Sequence, residues 1–159
     1  MRLSTKGHYA VTAMLDLCIH DHSGPVTLLK ISRCQGISLS YLEQLFAKLR
    51  KSNLVKGVRG PGGGYCMARP ASEISVADII IAVDERMDAT QCAGRQNCQE
   101  GEVCLTHELW LRLSDKIYQY LDGITLQQFM DRPSTRALIE QQRKSEDTVD
   151  LKSVQWATH

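Results

Sequence analysis

Hydrophobic positions recur at helical spacing from the first residues onward. Ala10, Met14, Leu17 and Cys18 share one side of a segment that Ser4 or Thr5 can cap and Gly24-Pro25 must end, which predicts a helix from Thr5 to about His22. Thr27 precedes a second short helix, "LLKISRCQ", stopped by Gly36. Ser38 or Ser40 precedes a third, "YLEQLFAKLRKS", with Leu42, Leu45, Phe46 and Leu49 as its apolar stripe and Ser40 and Glu43 at capping-box spacing. Only "GISLS" separates the two, the pattern of a helix-turn-helix. After Asn53 the period changes: Leu54, Val55 and Val58 precede "RGPGGGY" and Tyr65, Cys66 and Met67 follow it, a hairpin with a basic, glycine-rich tip. Ser75 caps "VADIIIAVD". A polar loop follows, then a long helix from about Leu105 to Leu121 with Leu105, Leu109, Leu113, Ile117 and Tyr120 along one side. Asp122-Gly123 ends it, and Thr125 caps a short "LQQFM" turn. Residues 132–159 are polar and lack clear periodicity, which reads as a mobile tail.

The element order is that of a mainly α winged helix-turn-helix unit over residues 2–131, with the helix-turn-helix at 28–51, the wing at 54–68, a cysteine-bearing loop at 88–107 and a long helix at 105–121. A chain of 159 residues, 43% hydrophobic, can bury one core. No apolar run approaches the roughly 20 residues of a membrane span, so no membrane partner is expected. Asp16 interrupts the N-terminal apolar stretch and no small-residue cleavage site follows, which predicts a cytoplasmic protein.

Charge sharpens the picture. Residues 1–70 carry ten Lys/Arg against three Asp/Glu, a net +7; the remainder carries nine against fifteen, a net −6. A basic front half predicts a polyanion partner. The third helix exposes Ser40, Tyr41, Glu43 and Gln44 in its first turns. Gln can pair with adenine, Glu accepts from the cytosine amino group, and Ser bonds either, so Ser40, Glu43 and Gln44 are candidate base readers. Ser38, Tyr41, Lys48, Arg50 and Lys51 are candidate phosphate contacts, and Arg59 sits beside the wing tip, placed for a minor groove. The structural alternatives are a solvated basic face and, for Glu43, half of a capping box. "RGPGGGY" lacks the GKS/GKT ending of a nucleotide-binding loop. With no nucleophile triad and no carboxylate pair placed for acid–base work, an enzyme is not expected.

The loop holds Cys92, Cys98, Cys104 and His107 as C-x5-C-x5-C-x2-H. A disulfide framework does not suit the cytosol. Structural zinc sites use shorter chelate pairs. Three thiolates and an imidazole supply the four protein ligands of a 2Fe–2S cluster, and the wide gaps suit an object larger than one ion. A zinc-dependent repressor stays open, as does a ferredoxin-like carrier, although a carrier has no use for a basic winged helix. Cys18, Cys34 and Cys66 are assigned to packing, and "HDH" at His20–His22 to a polar helix end.

"LLKISRCQGISLSYLEQLFAKLRKSNLVKGVRGPGGGY", the opening "MRLSTKGHYAVTAMLDL" and the spaced ligands together resemble the family of winged-helix transcriptional regulators that sense iron–sulfur clusters, over about residues 1–130. The resemblance implies a homodimer joined through the long helix, a 2Fe–2S cluster on Cys92, Cys98, Cys104 and His107, and base reading by Ser40, Glu43 and Gln44 of a pseudo-palindromic double-stranded operator. It implies that the holo dimer represses cluster-assembly genes. The apo dimer would bind a second class of sites and activate there, with Glu43 setting which sites it accepts. Cluster-assembly scaffold proteins would be the donors. Nitric-oxide sensors with a 4Fe–4S cluster share the superfamily and three cysteines; His107 favours the first reading.

Overall fold

The computed structural model describes residues 4–83, 87–90, 92–93 and 95–155, with side chains up to residue 147. The predicted helix end at Asp84, the first residues of the regulator unit and the last four of the tail lie outside these. Contacts divide the chain into a first unit, Met1–Leu126, and a second, Gln127–His159.

The first unit is built on α1 (Thr5–His20), α2 (Leu28–Gln35) and α3 (Leu39–Lys51), then strands β1 (Val55–Val58) and β2 (Gly64–Met67), then α4 (Val76–Ala82) and α5 (His107–Asp122). Ala10, Ala13, Met14 and Leu17 from α1, Ile31 from α2, the Leu42/Leu45/Phe46/Leu49 stripe from α3 and Ile79 from α4 close one core with Leu54, Val55 and Ile74. The predicted elements are present and the fold is a winged helix, mainly α with a two-stranded antiparallel hairpin. α5 begins at His107, so Leu105, expected on its stripe, precedes the helix and is wholly exposed.

Caps set the helix-turn-helix. The Thr27 side chain accepts from the Lys30 N–H at 3.2 Å, and Gly36 ends α2 in the left-handed region at φ 66°, where a side chain is disfavoured. Ile37 is buried and the Ser32 hydroxyl donates to its carbonyl at 2.6 Å, locking the turn. The expected Ser40–Glu43 capping box does not form. Ser38 is the N-cap, accepting from the Tyr41 N–H at 3.2 Å, so Ser40 and Glu43 lie inside the helix. A capping box occurs instead at Ser75 and Asp78 of α4.

The wing is pinned to the body. Tyr65 exchanges two backbone hydrogen bonds with Val26, at 2.7 and 2.8 Å, and the Met67 N–H donates to Asp21 Oδ1 at 3.0 Å. At Gly64 a Cβ would lie 2.5 Å from the Val26 carbonyl oxygen, so only glycine fits there. α5 is fastened to α4 at its far end: the Ser75 hydroxyl donates to Asp122 at 3.2 Å, and backbone bonds link residues 74–76 to 124–126.

The short α6 (Leu126–Met130) starts at the boundary between the units. The second unit holds α7 (Pro133–Gln155), where the sequence pattern promised no regular structure. Its residues are mostly good helix formers (Ala, Leu, Glu, Gln, Arg, Lys), so backbone propensity acts without an amphipathic stripe to announce it. Just before it, Asp131 pairs with Arg136 at 3.1 Å and meets Gln127, and these hydrogen bonds hold its carboxyl below the usual range.

Candidate nucleic-acid interface and metal centre

At about 100° per residue, Ser40, Gln44, Ala47 and Lys51 line the middle of the exposed side of α3, opposite the buried stripe. Glu43 and Arg50 flank them on one edge, Tyr41 and Lys48 on the other. The middle and the Glu43/Arg50 edge are exposed. Tyr41 is half-buried and packs edge-on against Tyr9 with ring centroids 5.8 Å apart, so its ring belongs partly to the body. Lys48 leans toward α4, lining a cavity of about 520 Å³ with Lys51, Arg69 and Asp78. Ser38 combines its capping role with an exposed position. Arg59 is exposed at the wing tip, where Gly60 (φ 98°) and Gly62 (φ 71°) make the turn. Lys56 and Arg69, not singled out from the sequence, add basic side chains on the wing strand and just beyond it.

The ligand loop converges on the first turn of α5. His107, its first residue, is buried. Its Nδ1 lies 3.4 Å from Cys92 Sγ and 3.6 Å from Cys98 Sγ, and the three donor atoms sit within 4.8 Å of one another. Nε2 is buried with no hydrogen-bond partner among the described residues. Cys104 stands beside this triad rather than in it. Its N–H donates to Cys98 Sγ at 3.1 Å and its own sulfur lies 3.8 Å from the Thr106 hydroxyl.

The two neighbouring thiols shift each other in opposite directions. Cys104 is held below its ordinary value, first by its hydrogen bond with the Cys98 thiol, against desolvation, with further help from Thr106. Cys98 is pushed up. The Cys104 N–H favours its thiolate, but the hydrogen bonds with the Cys104 and Cys92 thiols, desolvation and the charge of Cys104 together outweigh it. Three soft sulfurs and a neutral imidazole suit zinc, iron or a cluster, and exclude hard oxygen-loving cations. Cys18 and Cys66, by contrast, are half-buried within the winged helix, and burial pushes the Cys18 thiol up to about 11, with Asp21 adding to it. Cys34 is exposed.

Fold and site together define a winged-helix DNA-binding regulator with a thiol–imidazole centre beside its long helix. The chain belongs to the Rrf2 family, iron-dependent transcriptional regulators, whose pattern matches residues 3–132. It is 60% identical over 131 residues to the HTH-type transcriptional regulator IscR of Photorhabdus laumondii, covering 82% of this chain and 80% of that one. It is 49% identical to IscR of Cronobacter sakazakii, covering 96% and 98%. Among solved structures, T. potens IscR superposes with a TM-score of 0.68 at 41% identity, over 82% of this chain and 86% of that one. CymR, the global cysteine regulator of B. subtilis, gives 0.69 at 33%, over 81% and 95%. The Photorhabdus and Cronobacter relatives are named transcriptional regulators, and this chain, of the same family, is a DNA-binding transcriptional regulator. Among the described residues no helix is long and apolar enough to cross a membrane.

Proposed function

We propose that this regulator is a cytoplasmic homodimer whose operator choice is set by a 2Fe–2S cluster on Cys92, Cys98, Cys104 and His107. One observation carries the reading: three of the four donors converge on the first turn of the same helix whose outer side leaves Leu109, Leu113 and Tyr120 exposed. The donor set fits a cluster in kind and number, and the buried His107 aims one ring nitrogen at two sulfurs while the other has no hydrogen-bond partner among the described residues. The family's description as iron-dependent favours iron. When bound, the cluster supplies a soft, charged cross-link between loop and helix whose presence reports cluster supply.

The chain's own residues turn that into a DNA signal. α5 is anchored to α4 through Ser75 and Asp122, and α4 packs on α3. Ordering the loop at the other end of α5 biases how the two reading helices of a dimer are set. They must stand about 34–36 Å apart to enter successive major grooves. A coupling of about 1–3 kcal/mol changes affinity roughly 5- to 150-fold. The loaded dimer represses cluster-assembly genes. The apo dimer, after giving up its cluster or before scaffold proteins supply one, binds a second class of sites and activates there. Glu43 discriminates between the classes, because its exposed carboxylate is costly against a phosphate or a base edge without a donor.

A single zinc ion is the second reading, favoured by spacing: tetrahedral zinc with bonds of about 2.3 Å to sulfur and 2.0–2.1 Å to nitrogen puts those atoms about 3.6 Å apart, close to the two separations seen. The experiment is a count of iron, sulfide and zinc, with the visible spectrum, on protein purified without oxygen. About two irons and two sulfides per chain support the cluster. Four irons shift the reading to a 4Fe–4S gas sensor, and one zinc in a colourless sample removes iron from the account.

A further inference from the structure

Both arms of the ligand loop are fastened to α5 by side chains that are not themselves ligands. On the entering arm, Asp88 Oδ1 accepts from the Thr90 N–H and hydroxyl, each at 2.7 Å, which folds the chain just before Cys92. The Ala89 N–H donates to Ser114 Oγ, also at 2.7 Å. The Ser114 hydroxyl has one proton and two acceptors in range, the Trp110 carbonyl at 2.9 Å and Asp88 Oδ1 at 3.4 Å. The shorter bond takes the proton, which leaves the oxygen lone pairs to receive Ala89. On the exit arm, the Trp110 indole N–H donates to the Thr106 hydroxyl at 3.0 Å, and that oxygen lies 3.8 Å from Cys104 Sγ.

Thr106, Trp110 and Ser114 are spaced four apart, so they form a ladder along one side of α5, spanning about 12 Å at 1.5 Å per residue. The ladder ties the arm that brings Cys92 to the helix that carries His107, and buttresses Cys104 on the other arm. Such outer contacts commonly decide how well a metal site holds its occupant.

We infer that Ser114 and Thr106 are positioning residues for the metal centre, holding the ligand loop in register on α5 before anything binds. The inference rests on the cluster reading above. Ser114→Ala removes the acceptor of the Ala89 N–H; Ser114→Thr keeps the hydroxyl and its bond to the carbonyl four residues back. In the apo dimer, the Ala89 amide exchanges with deuterium faster in Ser114→Ala, while thermal unfolding by circular dichroism stays close to wild type. After reconstitution with ferrous iron and sulfide, the visible absorption decays under a chelator about 10-fold faster in Ser114→Ala and at nearly the wild-type rate in Ser114→Thr. Thr106→Val accelerates the decay in the same direction. A wild type that loads while Ser114→Ala holds its cluster equally long overturns the inference alone, as does unchanged Ala89 exchange. A wild type that takes up no iron overturns the cluster reading and the inference with it.

Discussion

Leu109→Ala tests whether the outer side of α5 is the dimer surface. The helix has two apolar sides. His107, Ile117 and Leu121 turn toward the body, while Leu109, Leu113 and Tyr120, centred about 100° away at about 100° per residue, face outward and are exposed. Leu109 keeps 60% of its surface in solvent. Fully burying a leucine side chain contributes about 1.5–3 kcal/mol; the exposed fraction of Leu109 therefore holds about 0.9–1.8 kcal/mol in reserve. A two-fold interface uses each residue twice, so about 2–4 kcal/mol per dimer depends on this position. Truncation to alanine removes most of it. At 1.4 kcal/mol per decade, the dimer dissociation constant rises roughly 20- to 400-fold. Sedimentation equilibrium of the apo protein over a wide concentration range reads this directly, and circular dichroism checks that the winged helix is intact, since Leu109 contributes nothing to the buried core. A dissociation constant unchanged within a few-fold, or a wild type that sediments as a monomer at all concentrations, refutes the assignment of this face.

Three further outcomes follow from particular contacts. Gly64→Ala pushes a Cβ against the Val26 backbone and lowers stability by about 1–3 kcal/mol, read as a reduced urea midpoint with weaker DNA binding; an unchanged midpoint means the strand is not seated there. Because the Cys18 thiol is pushed up to about 11, it stays protonated at neutral pH, and its alkylation rises about tenfold per pH unit between 7 and 9 while remaining slower than that of exposed Cys34; mass spectrometry showing Cys18 labelled as fast as Cys34 contradicts the burial. Arg59→Ala weakens binding to all operators and lowers the slope of log K against log salt by about one, whereas Gln44→Ala relaxes the preference at one base pair; fluorescence anisotropy separates the two, and identical effects would show that neither side chain has its assigned role.

Much of the architecture was legible because its signals are local. Thr27 and Gly36 bracket α2 through hydrogen bonds and a backbone angle that their residue types favour. The α3 stripe repeats at helical spacing and is wholly buried. Ser38 and Ser40 could each have capped α3, and what chose Ser38 was the turn before it: Ile37 is buried and Ser32 holds its carbonyl, placing the helix start two residues earlier than a Ser40–Glu43 capping box would. Glu43 is exposed as expected, because the buried stripe alone sets which side of α3 faces solvent. The helix over Pro133–Gln155 gave no periodic signal because its few apolar residues do not recur at helical spacing. At the ligand loop, spacing identified which residues are thiols and imidazole. It held no information on which would meet first, since that depends on Cys104 being drawn toward Thr106 and Cys98. Thr106 and Ser114 were silent for a related reason: a hydroxyl four residues from a tryptophan on a helix is common, and only the return of the Asp88 arm gives it meaning.

The central claim is that occupancy of the thiol–imidazole centre is read out as DNA affinity. It is tested most directly by fluorescence anisotropy on one preparation, measured cluster-loaded and after anaerobic removal of the cluster, against a panel of palindromic operators at fixed salt. The account predicts that affinity for at least one operator class changes about 5- to 150-fold between the two states, with a second class bound in both. Affinities that stay the same for every operator would contradict it.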